Sequence, residues 1–184
     1  MRNETEIKKV FLRLVDSKPI ETINVSMICE ELNIKRQTFY YHYSDILELV
    51  EAIFEDYADE ILNGDIQDNY LKSALQFSYD NIYLISSCIN GGLKDAVNQY
   101  FTNLVLPHVS SCVYELDNIK NLNNSDIKEI ISYHSEALSL LLIENFKNGE
   151  LKNYDRLINK INIFLNKEVL EKTASLYYEK RREI

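Results

Sequence analysis

The sequence contains few residues that interrupt helices. Its 184 residues include only 4 Gly and 2 Pro, the residue types that most often end regular elements. It has no uncharged apolar run of about 18 residues, the length that predicts a membrane span. The N-terminal stretch MRNETEIKKV enters a charged amphipathic pattern at once, unlike a signal peptide. We therefore expect a mostly helical cytoplasmic protein with short connections and no membrane segment.

Cysteine is scarce as well. Cys29, Cys88 and Cys112 are odd in number, far apart and set among apolar residues, so we expect reduced core thiols rather than a disulfide framework. A second interpretation stays open. His108 and Cys112 are four residues apart on one face of a predicted helix, and they could bind zinc or another thiophilic ion. Cys88 and His134 could then approach from neighbouring helices. Because there is no clustered Cys/His signature, we predict no metal and no cofactor.

Motifs of catalysis are also missing. The sequence has no Gly-rich phosphate loop, no nucleophile elbow and no paired-histidine metal motif. Its carboxylates are scattered along predicted solvent faces. The sequence therefore predicts a protein that is not an enzyme.

The charge is unevenly distributed along the chain. The formal net charge is −9, which by itself opposes binding to nucleic acid. However, residues 1–43 contain seven Lys/Arg and six Asp/Glu, whereas residues 44–184 contain thirteen and twenty-three. An acidic body with a less acidic N-terminal part is compatible with a protein that binds the phosphates of nucleic acid through one end only.

Apolar residues recur at helical spacing along the whole chain, beginning with Ile7, Val10, Phe11, Leu14 and Val15. The pattern predicts helices at about 5–17, 25–32, 35–42, 45–62, 68–88, 92–113, 125–147 and 152–181. We expect the last helix to break near Asn166, and Pro107 to kink or divide its own helix. The predicted fold is all-α, with a head of residues 1–45 joined by a long fourth helix to a larger helical body of residues 46–184.

Three local signals place the ends of the head helices. Asn24 is a suitable N-cap for the second helix. Asn33 lies where the following turn needs a left-handed residue, a conformation that asparagine tolerates better than most. Asp45 and Glu48 form a capping-box arrangement at the start of the fourth helix.

The stretch from Val25 to Tyr43, VSMICEELNIKRQTFYYHY, is typical of a helix-turn-helix. Two packed helices without a binding role would account for Phe39 and Tyr43, which have the spacing of core residues. They would not account for the polar and aromatic run around these positions on so short a helix. In a helix-turn-helix the second helix enters the major groove. There Arg36 can bind guanine, Gln37 can bind adenine, and hydroxyl groups can reach phosphate.

The same stretch resembles the N-terminal domain of the TetR family of bacterial transcriptional regulators. The matching positions are Ile28, Cys29, Asn33, Ile34, Lys35, Thr38, Phe39, Tyr40, His42 and Tyr43. The helices before and after them also lie in the family's places, so the resemblance covers about residues 5–62. It implies base or phosphate contacts from Ser26, Lys35, Arg36, Gln37, Thr38, Tyr40, Tyr41 and His42. Three departures from the family pattern are Lys35 for a capping serine, Asn33 for glycine, and Ile46 for a lysine that often binds phosphate.

The resemblance further implies a homodimer on a palindromic DNA operator and a small-molecule effector bound in the body, as in a repressor. Two strongly apolar stretches, 125–147 and 154–165, could form the dimer interface or simply the monomer core. Aromatic residues could line a pocket for an apolar or aromatic effector, although such residues are more often core. The candidates are Phe77, Tyr83, Tyr100, Phe101 and Tyr133. An activator or adaptor controlled by a protein partner, and a metal-responsive regulator using His108 and Cys112, are the alternatives.

Overall fold

The computed structural model of the chain describes residues 2–63, 70–147 and 154–182. These ranges contain α-helices joined by short turns, and no strand occurs within them. Their bounds are α1 Arg2–Val15, α2 Val25–Leu32, α3 Arg36–His42, α4 Ile46–Asn63, α5 Tyr70–Asp80, α6 Ile82–Asn90, α7 Lys94–Tyr114, α8 Asn124–Phe146, α9 Tyr154–Phe164 and α10 Lys167–Arg182. Short 3-10 turns occur at Ile20–Thr22 and Ile119–Asn121. The predicted all-α class is confirmed.

The first three helices form the head. The apolar stripe predicted for α1 is buried, with Ile7 and Phe11 fully so. It packs against α2 and α3, whose buried residues are Ile28, Cys29 and Phe39. The ends of α2 also follow the sequence. Asn24 accepts a hydrogen bond from the backbone N–H of Met27 at 3.3 Å, and Asn33 is left-handed with φ 51°.

Helix α4 leads from the head into the body. At its start Asp45 Oδ1 accepts from the N–H of Glu48 at 2.9 Å. Glu48 Oε2 accepts in return from the N–H of Ser44 at 2.6 Å, one residue earlier than a standard capping box requires. Hydrogen bonds from the side chain and the backbone of Ser44 lower the pKa of the Glu48 carboxyl. Lys8 also links α1 to α4, since its ammonium donates hydrogen bonds to Asp56 at 2.6 Å and to the carbonyl of Ala52 at 3.1 Å.

The centre of the body is the pair α7 and α8, the most extensive helix contact in the described chain. Helix α4 also packs on α7. Phe54 of α4 stacks on Tyr100 of α7 with ring centroids 4.8 Å apart, and Phe101 of α7 lies 5.4 Å from Phe146 of α8. This continuous aromatic and aliphatic core holds α4 against the body.

A second contact joins head and body at Gly91, the C-cap of α6. A Cβ atom at this glycine would lie 2.0 Å from Cγ2 of Ile20 in the head. Only a residue without a side chain allows this approach. Ile20 itself is 3% exposed, so the 3-10 turn of the head packs against the C-terminal end of α6.

The body differs from the sequence prediction in two helices. The helix predicted at 68–88 is divided into α5 and α6 at Asn81, whose backbone departs from helical geometry at φ −108° and ψ 24°. The side-chain amide of Asn81 donates to the carbonyl of Phe77 at 2.9 Å. Pro107 lies inside an undivided α7. Both Pro107 and Asn103, whose carbonyl loses its helical donor, are exposed. The break near Asn166 is confirmed between α9 and α10, and the predicted helix starts at 68 and 152 lie outside the described residues.

The last helices supply monomer core as well as surface. The apolar residues predicted as a dimer interface in α8 are mainly buried against the same chain, with Ile130, Leu138, Leu142 and Phe146 fully enclosed. Leu157 and Ile161 of α9 are buried in the same way. None of the described helices is long and apolar enough to cross a membrane.

Candidate nucleic-acid interface

Helix α3 is held in place by one buried face. Phe39 is fully buried and Tyr43, just after the helix, is 4% exposed. Their rings lie 5.8 Å apart and fill the space between α3 and the other head helices. The prediction that these two residues are core is confirmed.

The other face of α3 makes almost no contribution to the core. Tyr40 is 53% exposed and Tyr41 is 85% exposed, values far above those of packed aromatic residues. Lys35, Arg36 and Gln37 are exposed, and Thr38 and His42 are half-buried. Tyr41 also supports the His42 ring, edge to face at 5.1 Å. The seven residues predicted on α3 to contact DNA therefore form one surface, called here the α3 face.

Ser26 belongs to this surface but has an intramolecular partner. The guanidinium of Arg36 donates a hydrogen bond from Nη2 to Ser26 Oγ, which links the first turns of α3 and α2. Beside this contact is a groove of about 290 Å³, lined by Ser26, Cys29, Glu30, Asn33, Ile34 and Arg36. The structure thus gives Ser26 a geometric role, that of fixing the direction of Arg36, which the sequence did not predict.

The charges around the α3 face are arranged so that its own cations remain available. Arg13 forms an ion pair with Glu31, so this acidic residue of α2 is neutralised from α1. Lys35 begins α3 without a side-chain cap, as its substitution for serine predicts, and forms no ion pair with a described residue. Burial raises the pKa of the Cys29 thiol although Arg36 opposes this shift. Cys29 is therefore a neutral core residue.

Tyr43 carries an isolated polar group beneath the α3 face. Its hydroxyl oxygen is buried and has no hydrogen-bond partner among the described residues. Burial raises the pKa of this phenol far above its ordinary value, and the carboxylates of Glu4, Asp56 and Glu48 raise it further. The group is neutral and costs free energy, because a buried hydroxyl without a partner loses its hydration.

The five aromatic residues predicted to line an effector pocket differ widely in their exposure. Tyr83 is 74% exposed and Tyr133 is 62% exposed, because each lies on the outer face of its helix. Phe101 is fully buried in the core, and Phe77 packs its ring 4.8 Å from Tyr57. Of these five residues, Tyr100 lines a cleft formed by described residues.

That cleft lies between α4 and α7 and has a volume of about 240 Å³. We call it the α4–α7 cleft. It is lined by Glu51, Phe54, Glu55, Ala58, Ala96, Gln99, Tyr100 and Asn103. No local pattern in the sequence predicts this cleft, because the two helices that border it are far apart in the chain.

No group of three or more His, Cys, Asp or Glu residues in the described ranges is placed to hold a metal ion. Burial lowers the pKa of His108 and raises that of Cys112. His134 Nδ1 is hydrogen-bonded to the carbonyl of Ile130 at 2.8 Å. Cys88 is buried, which raises its pKa to about 12.

Comparison with known proteins identifies a similar fold. No protein-family model matches the chain, and no curated protein matches it. The solved structure of a protein named "Dihydroxyacetone kinase operon activator DhaS" superposes with a TM-score of 0.61 and 24% sequence identity. The match covers 91% of this chain and 96% of that chain. The chain therefore shares, over nearly its whole length, the all-helical fold of a protein described as an operon activator.

Proposed function

We propose that this protein is a sequence-specific, DNA-binding transcriptional regulator of the TetR type. The α3 face contacts the bases and phosphates of an operator, and the body controls the affinity. The observation that carries this proposal is the division of α3 into one buried face and one exposed face of polar and aromatic residues. The operon activator with the same fold supports it.

The exposed side chains suit the major groove. A guanidinium such as that of Arg36 can donate two hydrogen bonds to guanine, and the amide of Gln37 matches adenine. Lys35 and the hydroxyls of Tyr40 and Tyr41 are suited to phosphate, which fixes position rather than sequence. A helix of seven residues is about 10 Å long, so one head contacts only a short half-site.

Because one head contacts only a short half-site, specific binding requires the head of a second copy of the chain. The surface of the body offers a face through which two copies can pair. Tyr133 and Leu140 of α8 are seven residues apart, and both are more than half exposed. Val169 and Leu176 of α10 repeat this spacing and are 44% and 58% exposed. Because α10 packs on α8, these residues would meet their copies in a two-fold four-helix interface. This pairing surface replaces the buried stripe expected from the sequence.

The test is binding to the DNA upstream of the protein's own gene, measured by gel retardation. We expect wild-type protein to retain this fragment in the presence of excess unrelated DNA, and Arg36→Ala to lose at least about fivefold in affinity, because one bidentate base contact contributes about 1–3 kcal/mol. Lys128→Ala is the matched control. It removes one positive charge from an exposed site on α8, and its affinity should remain within about twofold of wild type.

Two results would oppose the proposal. If the wild-type protein retains no specific fragment, the head is a scaffold and an adaptor acting through a protein partner becomes the better explanation. If Arg36→Ala and Lys128→Ala reduce retention equally, the protein binds DNA through its general charge and not through the α3 face.

A further inference from the structure

Contacts at two different helices hold the head on the body. At the first, α4 is joined to the head by the ion pair of Lys8 with Asp56 and to the body by its packing on α7. At the second, Ile20 of the head contacts Gly91 at the C-terminal end of α6. Attachment through α4 alone would leave the head free to turn about this helix. A contact at another helix opposes that rotation.

The Gly91 side of the second contact is fixed within the body. The N–H of Gly91 donates to the carbonyl of Ser87 at 2.8 Å, and the N–H of Leu93 donates to the carbonyl of Cys88 at 2.9 Å. Gly92 has a left-handed backbone at φ 87°, as in the Schellman motif that ends many helices. Cys88 itself is fully buried, so these hydrogen bonds hold Gly91 on the core of the body.

The Ile20 side is fixed within the head. The N–H and the hydroxyl of Thr22 both donate to the carbonyl of Pro19, at 3.0 Å and 2.7 Å. The N–H of Ile23 donates to the carbonyl of Ile20 at 3.0 Å, and the side chain of Ile23 is buried. Ile20 therefore moves with the head, as Gly91 moves with the body.

Asn90 extends this attachment to α8. Its side-chain amide donates to the carbonyl of Lys147 at 2.9 Å, and Lys147 is the C-cap of α8. The same helix carries Tyr133 and Leu140, which belong to the pairing surface described above. The contact between Ile20 and Gly91 therefore relates the head to the helix through which two copies of the chain would pair.

We propose that the contact between Ile20 and Gly91 fixes the direction of α3 relative to the body, and so determines which spacing between two half-sites the paired protein accepts. One additional base pair moves a half-site by about 3.4 Å along the DNA and rotates it by about 35°. A head held at two helices cannot follow this rotation, whereas a head held through α4 alone can. The spacing rests on the proposed function, and the fixed direction of the head does not.

The direction of the head is tested without DNA, by residual dipolar couplings of the backbone amides in the full-length protein. These couplings report the orientation of each helix in a weakly aligned sample. In wild type the couplings of α1–α3 and of α7–α8 should fit one common alignment. Ile20→Ala removes Cγ2, the atom that faces Gly91. In this variant the couplings of the head should no longer fit the alignment of the body.

Two control variants separate this effect from a general loss of stability. Ile20→Val keeps Cγ2 and should retain the common alignment. Ile130→Ala removes the same atoms as Ile20→Ala from a fully buried site in α8, about 25 Å along the helix from Lys147. This variant should lower the melting temperature but retain the common alignment.

A further variant covers the case in which Ile20→Ala does not fold. Circular dichroism and thermal melting establish whether each variant is folded. Gly91→Ala places a Cβ where Cγ2 of Ile20 lies and pushes the head turn aside. The couplings of the head should then also depart from the alignment that they share with the body in wild type.

The spacing is tested by competition among DNA duplexes that carry the half-sites selected by wild type, with spacers that differ by up to about three base pairs. All duplexes compete for the same protein, so a smaller folded fraction leaves the ratios of their affinities unchanged. Wild type should prefer one spacer at least about fivefold, the equivalent of one lost base contact. Ile20→Ala should lose most of this preference, whereas Ile20→Val and Ile130→Ala should keep it.

The proposal is overturned if folded Ile20→Ala and folded Gly91→Ala both keep the common alignment, whatever the protein does with DNA. It is also overturned if Ile130→Ala disturbs the alignment as much as Ile20→Ala does. If the alignment changes as expected and the spacer ratios do not, the contact fixes the head but does not determine the spacing. If wild type selects no pair of half-sites, the proposed function fails, and the alignment still decides whether the contact fixes the head.

Discussion

The contact between Gly91 and Ile20 makes a quantitative prediction about how head and body are joined. Replacing Gly91 with alanine adds a Cβ 2.0 Å from Cγ2 of Ile20 and 2.9 Å from the carbonyl oxygen of Ser87. Carbon atoms in contact are normally about 3.5–4.0 Å apart. The head turn must therefore move by more than an ångström, or α6 must shift, and both lie in a packed region.

The size of the effect follows from two opposing contributions. Overpacking of a well-packed region costs about 1–3 kcal/mol. Gly→Ala also reduces the entropy of the unfolded chain, which returns about 0.4–1 kcal/mol, because the backbone of Gly91 at φ −91° suits alanine. We expect a net loss of about 1–2 kcal/mol in the free energy of unfolding, equivalent to about 2–8 °C in melting temperature for a chain of this length.

The assay is a double-mutant cycle in urea with Gly91→Ala, Ile20→Ala and the combined variant. Ile20→Ala alone should cost about 2–4 kcal/mol as a buried large-to-small change, but it removes the atom with which the new Cβ collides. The combined loss should therefore be at least about 1 kcal/mol smaller than the sum of the two single losses. Strictly additive losses would show that Gly91 and Ile20 are not in contact and would refute this description of the junction.

Three further predictions concern the head. Asn33→Ala should cost about 1 kcal/mol, because the left-handed backbone at φ 51° disfavours a Cβ-bearing residue without a short polar side chain; Asn33→Gly should cost no stability, and urea unfolding measures both. Tyr43→Phe should stabilise the fold by about 1 kcal/mol by removing the buried hydroxyl that lacks a described partner. Since the folded pKa of Tyr43 is raised, wild-type stability should fall as the pH rises above about 10, the unfolded value, and urea titrations at pH 8 to 11 should show a smaller fall in Tyr43→Phe. Ser26→Ala should relax the base preference of the protein when Arg36 is present and have no such effect when Arg36 is replaced, and selection from random DNA can measure both. If Ser26 only contacted phosphate, its loss would instead weaken binding to all sequences equally.

The ends of the head helices could be predicted from sequence because their signals are local. Asn24, Asn33 and Asp45 act within three or four residues of themselves, through a cap, a left-handed turn and a second cap. Each interaction depends on neighbouring backbone and not on the rest of the fold. The exposed and buried sides of α3 could also be predicted from a local signal, the helical periodicity of its sequence.

The packing of the body was harder to predict from the sequence, because it depends on contacts between residues that are distant in the chain. Aromatic residues at helical spacing divide into core, such as Phe101, and surface, such as Tyr83, only through the helices that pack against them. The α4–α7 cleft is lined by residues of two helices that are far apart in the chain, such as Ala58 and Ala96, 38 positions apart. Likewise, the sequence allowed the apolar residues of α8 to form either a dimer interface or the monomer core. In the structure α8 packs against α7, and most of these residues lie in the monomer core.

The central claim, that the α3 face binds a specific DNA sequence, is tested most directly by selection from a random DNA pool at several salt concentrations. We expect enrichment of two inverted half-sites about one helical turn apart, with an affinity that falls steeply as salt rises. The combined variant Lys35→Ala and Arg36→Ala should lose the enrichment while keeping the wild-type melting temperature within about 2 °C, since both side chains are exposed. Enrichment that survives in this variant, or a wild-type protein that enriches no sequence, would contradict the claim.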